Sequence, residues 1–181
     1  MEVTTRLLTL ISLLVLCLSF ATFAEEQQGD ENLLKAVFVF NFAKFARWPA
    51  GSWAESGSSL KICSIGYDEL ANTLVRLHGR TLRDHPVQIV QREGTEQLDA
   101  CHVLYLANSL QHDAIEIVES LRSKPILTVS EILGFSESGG MIELYQRDGR
   151  IRFKVNLHIT REAGLDLSSR LLKLAVIVDR P

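Results

Sequence analysis

The adjacent pair Cys101-His102 combines a potential nucleophile with a potential base. Histidine can take the proton of a neighbouring thiol, and the resulting thiolate attacks esters, peptides and disulfides. The pair lies in the mostly apolar segment from Ala100 to Leu106, which predicts a β-strand, and successive strand side chains point to opposite faces. This geometry favours a structural cysteine beside a surface or packed histidine over a catalytic pair.

The other residues that could carry chemistry form no recognised pattern. The chain has no G-x-S-x-G elbow, no G-x-x-x-x-G-K-[ST] phosphate loop, no H-E-x-x-H helix and no G-x-G-x-x-G turn. His78, His85 and His112 lack metal-ligand spacing, and His158 is expected to be solvated. The sequence therefore predicts no catalytic residues, no metal and no cofactor, with an unfamiliar hydrolase as the less favoured alternative.

The amino-terminal residues 1–24 have the three parts of a secretory signal peptide. Arg6 precedes an apolar run over residues 7–20, and small residues follow it. The run is shorter than the roughly 20 apolar residues that cross a bilayer, so an uncleaved membrane anchor is the less favoured reading. We predict cleavage after Ala24, or less favourably after Ala21, and export of the mature chain.

The mature chain fits one compact domain, because removing 24 residues from 181 leaves about 157. Residues 25–31 are polar and predict a flexible leader, and residues 32–181 form the expected domain. The formal net charge is −3, and cleavage leaves it unchanged because the signal contains one Arg and one Glu. Nucleic-acid binding usually shows as a basic face, so no nucleic-acid partner is expected.

Cleavage also removes Cys17, which leaves Cys63 and Cys101. An oxidising compartment favours their pairing, and each lies in a predicted strand. Closing a loop of this length stabilises a fold by roughly 4 kcal/mol in the chain-entropy model. The alternative is a pair of buried free thiols.

Strands that alternate with helices predict an α/β fold, with a mostly parallel sheet covered on both faces. We expect strands over residues 60–65, 87–90, 100–106 and 126–129, and helices over residues 68–77 and 112–121.

The first helix is expected from Asn32 to Trp48. Its packing face is predicted to be the one that carries Leu34, Val37, Phe38, Phe45 and Trp48. Val39 and Phe40 fall on other faces, so this helix is either sandwiched in the core or offered to another chain.

The last third of the chain predicts a β-hairpin and a closing helix. Ser130 follows a strand and can cap a brief helix over residues 131–133. Asp148-Gly149 between two apolar runs indicates a type I′ turn. Thr160 is the expected N-cap of the closing helix, along which Leu167, Leu171, Leu174 and Val178 recur at helical spacing.

The segments LTVSE, GGMIELY, DGRIRFKVNL and AGLDLSSRLLKLA resemble the closing half of the YfiR family. Upstream, KAVFVFNFAKFARWP, LKICSIG, LHGRTLRDHPVQI and LDACHVLYLA resemble that family's earlier elements in the same order. The resemblance covers roughly Asn32 to Val178. It also implies a disulfide between the strands of Cys63 and Cys101. Relatives can carry a second pair late in the chain, where this sequence has Ser136 and no cysteine.

The resemblance implies a periplasmic protein that binds the periplasmic domain of an inner-membrane diguanylate cyclase (YfiN-like) and holds it inactive. An outer-membrane OmpA-like lipoprotein (YfiB-like) would withdraw it, and a homodimer is left open. Inhibition of this kind lowers cyclic di-GMP and biofilm formation.

We expect Arg47, Trp48 and Trp53 to contribute to partner binding, since Arg and Trp dominate interface energetics. Core packing is the alternative for Trp48. The rival functions are a periplasmic small-molecule receptor, with its ligand at the carboxyl ends of the strands, and a sensory module.

Overall fold

The structure is a computed structural model that describes residues 29–52 and 58–180. The expected signal peptide, most of the expected leader and Trp53 lie outside these residues. Residues 29–31 are helical, so this end of the expected leader is part of the first helix. In chain order the elements are α1 (29–45), β1 (Ala46–Arg47), β2 (Leu60–Ile65), α2 (Glu69–Leu74), β3 (Thr81–Leu82), β4 (His85–Arg92), β5 (Val103–Leu106), α3 (Ala114–Ser120), β6 (Leu127–Ser130), β7 (Ile142–Arg147), β8 (Arg150–Asn156), α4 (Leu157–Glu162), β9 (Asp166–Leu167), α5 (Ser169–Leu172) and β10 (Val176–Val178).

The main sheet has eight strands in the order β10-β8-β7-β6-β5-β2-β4-β3. Neighbours are parallel except for the pairs β7–β8 and β3–β4. This confirms the predicted α/β class, with a mostly parallel sheet and a late antiparallel hairpin. A second, two-stranded sheet joins β1 to β9 and so ties the end of α1 to the carboxyl-terminal part of the chain.

The main sheet separates two apolar clusters. Ile62 of β2 and Val103 of β5 are register partners and belong to the cluster that contains α1. Their neighbours Cys63 and Leu104 point the other way, into the cluster that α3 covers. The alternation of strand side chains thus gives the sheet a helical layer on each face.

The face of α1 that packs on the sheet is only partly the predicted one. Phe38, Phe45 and Trp48 are partly buried against the core cluster, as predicted. Ala36, Val39 and Phe42 are fully buried, whereas Leu34 and Val37 are 50% and 40% exposed. The helix is apolar on several sides, and its alanines Ala36 and Ala43 lie on the side that approaches the strands. The helix also ends at residue 45, so Trp48 lies beyond it.

A buried ion pair fixes the first half of α1. The ammonium of Lys35 lies 2.6 Å from the carboxylates of both Glu31 and Glu131, and only 8% of its side chain is exposed. Burial opposes the charge of Lys35, but hydrogen bonds to Glu131 and Glu31 outweigh it and raise the pKa of the amine. Glu131 follows the carboxyl end of β6, so the amino-terminal half of α1 lies at that end of the sheet.

The hairpin forms as predicted. Asp148 and Gly149 have φ values of 53° and 67°, and a type I′ turn requires positive φ at both positions. Ser130 also caps as expected, since its hydroxyl accepts a hydrogen bond from the Ile132 amide at 3.0 Å. It caps a turn instead of a brief helix, and the following helical turn is a 3₁₀ segment at Ser136–Ser138.

Helical structure follows the hairpin as two short helices instead of one. The N-cap of α4 is Asn156, whose side chain accepts from the Ile159 amide, and Thr160 lies inside the helix. Gly164 (φ 73°) ends α4 through hydrogen bonds from Gly164 to Arg161 and from Leu165 to Thr160. The apolar spacing continues past this point, but the backbone enters β9 before α5 begins.

A polar network holds the connection between β6 and β7. The carboxylate of Glu143, of which 1% is exposed, accepts hydrogen bonds from the amide and hydroxyl of Ser136. The ammonium of Lys154 lies 2.9 Å from both Glu137 and Glu143. The Asn156 side chain donates to the Ser136 carbonyl. Burial would raise the pKa of Glu137, but hydrogen bonds from Lys154 and Ser136 lower it to about 2.

We predict that Phe42→Ala lowers the free energy of unfolding by about 3–5 kcal/mol, because Phe42 is fully buried with its ring 5.0 Å from that of Phe153. Leu34→Ala on the same helix should change the free energy of unfolding by no more than about 0.5 kcal/mol, as is usual for surface positions. Urea unfolding of both variants measures the difference. Equal losses would contradict the assignment of the buried face.

We predict that the protein loses stability as the pH falls from about 4.5 to about 2. The folded-state pKa of Glu137 is below its usual value, so its contribution is present above the unfolded pKa and disappears as the carboxylate is protonated. Glu137→Gln should flatten this part of the profile, measured by urea unfolding at stepped pH. Glu162→Gln is the control. Because the Glu162–Arg122 pair is exposed, about 0.5 M salt should screen it, so at this salt concentration the Glu162→Gln profile should be as steep as that of the unchanged protein. A Glu137→Gln profile as steep as that of the unchanged protein would contradict this role.

Candidate functional site

Arg47 lies on the surface in β1, directly opposite Asp166 of β9. Its side chain is 75% exposed, and its guanidinium is 3.8 Å from the equally exposed Asp166 carboxylate. An exposed pair of this kind contributes little to stability. The guanidinium can therefore change partners at low cost when another surface approaches.

Two surface grooves flank Arg47, one of about 500 Å³ and the other of about 580 Å³. The first also contains Arg83 and His85, and the second contains Asp166 and Arg170. We call Arg47 with these two grooves the Arg47 surface. Among the described residues that line it, three arginines outnumber the carboxylate of Asp166, so the surface suits an acidic partner surface.

The backbone of α1 helps to build this surface. The guanidinium of Arg83 donates a hydrogen bond to the Lys44 carbonyl in the last turn of the helix. The last carbonyls of a helix lack intrahelical donors and carry partial negative charge, so a cation is favoured there. Arg83 therefore stabilises the end of α1, two residues before Arg47.

Trp48 is half-buried and packs against the cluster that contains α1. Its ring meets that of His102 edge to face, with the centroids 6.2 Å apart. The sequence placed Trp48 on the helix; the structure places it between the first groove and the amino end of the sheet. Trp48 thus lines the Arg47 surface while much of its ring serves packing.

A larger cavity of about 640 Å³ lies at the amino ends of β2, β5 and β6. We call it the amino-end pocket; it is lined by Ser52, Ser58, Ser59, Lys61, Asp99, Ala100, Cys101, His102, Lys124, Pro125 and Ile126. It was not expected from the sequence. The signal for it is that polar or small residues precede three strands that become parallel neighbours.

His102 is fixed at the wall of this pocket. Its Nδ1 accepts a hydrogen bond from the Lys61 amide at 3.0 Å, which leaves the proton on Nε2, 3.3 Å from the Ser52 carbonyl. Burial is the main cause that lowers the pKa of His102, and the charge of Lys61 adds to it. The ring is therefore neutral at pH 7 and holds Ser52 at the rim.

The Cys63–Cys101 disulfide is present, with the two Cα atoms 5.8 Å apart. This spacing is within the usual range for disulfides. Cys63 lies in β2 as predicted, whereas Cys101 lies in the short segment before β5 and not in the strand. Because the sulfur of Cys101 is bonded to Cys63, the pair Cys101-His102 contains no thiol to activate.

The carboxyl end of the sheet contains a buried polar cluster that the sequence analysis missed. The hydroxyl of Tyr105 donates to Asp68 at 2.8 Å and lies 3.5 Å from Glu131, which also pairs with Lys35. Burial first, and then the charge of Asp68, raise the pKa of Tyr105 well above its usual value. Asp68 also caps α2 and accepts from the Asn108 amide. These groups satisfy one another, and through Glu131 and Lys35 the cluster anchors α1.

The described residues contain no group of three or more His, Cys, Asp or Glu side chains that could hold a metal ion. Across residues 29–52 and 58–180, the helices lack the length and apolar character that crossing a membrane requires.

A family model described as YfiR/HmsC-like matches residues 32–176. The match spans every element from α1 to the start of β10, including both cysteines of the disulfide.

We predict that the double variant Cys63→Ser, Cys101→Ser loses about 4 kcal/mol of unfolding free energy, because the bridge closes a loop between residues 38 positions apart. Urea unfolding measures the loss. Adding dithiothreitol should lower the stability of the unchanged protein and leave that of the double variant the same. An insensitive unchanged protein, with equal gel mobility before and after reduction, would contradict the bridge.

Proposed function

Because the chain belongs to the YfiR/HmsC-like family, we propose that it is a periplasmic negative regulator. It binds the periplasmic domain of an inner-membrane diguanylate cyclase, holds that enzyme inactive, and so lowers cyclic di-GMP and biofilm formation. The observation that carries the proposal is the family match over residues 32–176. Proteins of this family are periplasmic, and they are regulators rather than enzymes.

The mechanism needs no chemistry from this chain. A protein that binds the inactive conformation of a cyclase better than the active one shifts the population towards the inactive state. A preference of about 3 kcal/mol changes the balance by more than a hundredfold. An outer-membrane OmpA-like lipoprotein that competes for this protein would relieve the inhibition.

The Arg47 surface is the proposed contact with the cyclase. Arg47 is exposed, and its ion pair with Asp166 is a weak surface pair. Arginines line both adjoining grooves. Arginine and tryptophan are common at the energetic centres of interfaces. Trp48 adds an aromatic ring beside the guanidinium, and Trp53 stays a candidate outside the described residues.

A second candidate function is a periplasmic small-molecule-binding sensory protein. The observation that favours it is the amino-end pocket, whose volume of about 640 Å³ falls within the range usual for ligand sites. For this function the ligand would lie at the amino ends of the strands. At the carboxyl ends, Tyr105 is hydrogen-bonded to Asp68 and Glu131.

We predict that deleting the gene raises cellular cyclic di-GMP and biofilm, and that the same deletion has no effect in a strain that lacks the partner cyclase. Quantification of cyclic di-GMP by mass spectrometry measures both results. Unchanged cyclic di-GMP after the first deletion would contradict the proposed function.

The contact surface is tested by Arg47→Glu, expressed in the deletion strain that retains the partner cyclase. We expect this variant to bind the periplasmic domain of the cyclase at least about tenfold more weakly and to raise cyclic di-GMP. Arg147→Glu is the matched control, since Arg147 is 74% exposed and also 3.8 Å from a carboxylate, that of Asp148. Loss of repression by both variants, or by neither, would remove Arg47 from the proposed contact.

A further inference from the structure

The amino-end pocket has the dimensions of a small-molecule site, and its wall contains both apolar and polar groups. Ile126, Pro125 and Ala100 supply apolar surface, and Cys101 brings the edge of the disulfide. Ile126 and Cys101 are themselves buried, so this side of the pocket is part of the core. Ligand sites typically combine such an apolar wall with a few placed polar groups.

Two polar groups at the pocket have unused capacity. The hydroxyl of Ser58 is buried, and among the described residues it has no hydrogen-bond partner. Buried hydroxyls in folded proteins usually have one, so this exception needs an explanation. Within residues 29–52 and 58–180, no carboxylate lies within ion-pair distance of the Lys61 ammonium either. A bound ligand with a hydrogen-bond acceptor would give a partner to both the Ser58 hydroxyl and the Lys61 ammonium.

The other charged groups of the pocket are already engaged. The ammonium of Lys124 is 2.7 Å from the carboxylate of Asp99, so this pair is neutral overall. His102 is neutral at pH 7, and its two nitrogens face the Lys61 amide and the Ser52 carbonyl. Among the described lining residues, the remaining charge is therefore the single positive charge of Lys61.

We propose that the amino-end pocket binds a small amphipathic carboxylate. Its carboxylate pairs with the Lys61 ammonium and accepts a hydrogen bond from the Ser58 hydroxyl, while its apolar body lies over Ile126, Pro125 and Ala100. One cation matches one negative charge, whereas a phosphate monoester would bring up to two and would call for more donors. The described residues that line the pocket include no arginine, the residue that most favours bidentate phosphate binding.

The site names the ligand class for the sensory function above, but it does not depend on the cyclase. Ligand binding is measured on the isolated protein, so a negative result there and a failure of cyclic di-GMP regulation are separate outcomes. Binding would also bring a ligand next to His102, and hence next to the contact between His102 and Trp48 at the Arg47 surface.

The test is a set of NMR titrations of the whole mature protein with octanoate, 1-octanol and octylammonium, three probes that share a chain and differ in charge. We expect octanoate to bind at least about tenfold more tightly than octanol, as a gain of about 1.4 kcal/mol would give. Octylammonium should bind least, because Lys61 repels it. The amide shifts should concentrate at Ala100, Cys101 and Ile126.

Variants assign the polar contacts. Lys61→Gln should reduce the affinity for octanoate about tenfold and leave that for octanol unchanged, and Lys61→Arg should retain octanoate binding. Ser58→Ala should weaken octanoate binding by a smaller factor. Lys173→Gln, at an exposed lysine of the segment after α5, is the control and should bind like the unchanged protein.

Equal affinities for octanoate and octanol would overturn the proposal, as would unchanged octanoate binding in Lys61→Gln. Shifts that map to another surface would overturn it as well. Should Lys61→Gln not fold, the titrations of Ser58→Ala and of the three probes decide alone. In that case the affinity for octanoate must still exceed that for octanol about tenfold, and Ser58→Ala must still reduce the affinity for octanoate.

Discussion

The docking of α1 across the main sheet is the interaction on which both candidate surfaces depend. Lys35 pairs with Glu131 beyond the carboxyl end of β6, Phe42 meets Phe153 halfway along β8, and Trp48 reaches His102 before β5. The helix therefore runs antiparallel to the parallel strands. Its length carries the chain from one end of the sheet to the other, and Arg47 is placed where that path ends.

The two ends of the parallel strands have different roles. Ligands of open α/β sheets usually bind at the carboxyl ends of the strands. Here that end is closed by Tyr105, Asp68, Glu131 and Lys35, which satisfy one another and hold α1 in place. The amino end has the disulfide, a fixed neutral histidine and a cavity of about 640 Å³. The cavity of this fold thus lies at the amino ends of the parallel strands, opposite to the usual ligand site.

A regulator that acts by binding benefits from a rigid surface, because less conformational entropy is lost when the complex forms. The disulfide joins β2 to the segment before β5, and the pairing of β1 with β9 fastens the chain next to Arg47. Both constraints act close to the Arg47 surface and the amino-end pocket. A ligand in the pocket would lie between the disulfide and the Trp48–His102 contact, so its binding is physically positioned to affect the surface.

The sequence by itself determined the features that depend on neighbouring residues or on the compartment. Asp148-Gly149 dictates its turn because few other residues tolerate positive φ twice in succession. The alternation of strands and helices indicated a parallel sheet, and the positions of Cys63 and Cys101 in or beside predicted strands favoured a pairing that the structure contains.

Only the tertiary structure decided which side of α1 is buried, where the closing helices break and which polar groups meet. A helix that is apolar on several sides does not specify its packing face. Here the small side chains of Ala36 and Ala43 and the pairing of buried Lys35 with Glu131 determine it. Leu167 and Leu171 keep a helical spacing, yet Gly164 and the pairing of β9 with β1 place them in different elements. Asp68, Tyr105 and Glu131 come from three segments that are far apart in sequence, and local patterns do not record contacts that the sheet creates by bringing β2, β5 and β6 side by side.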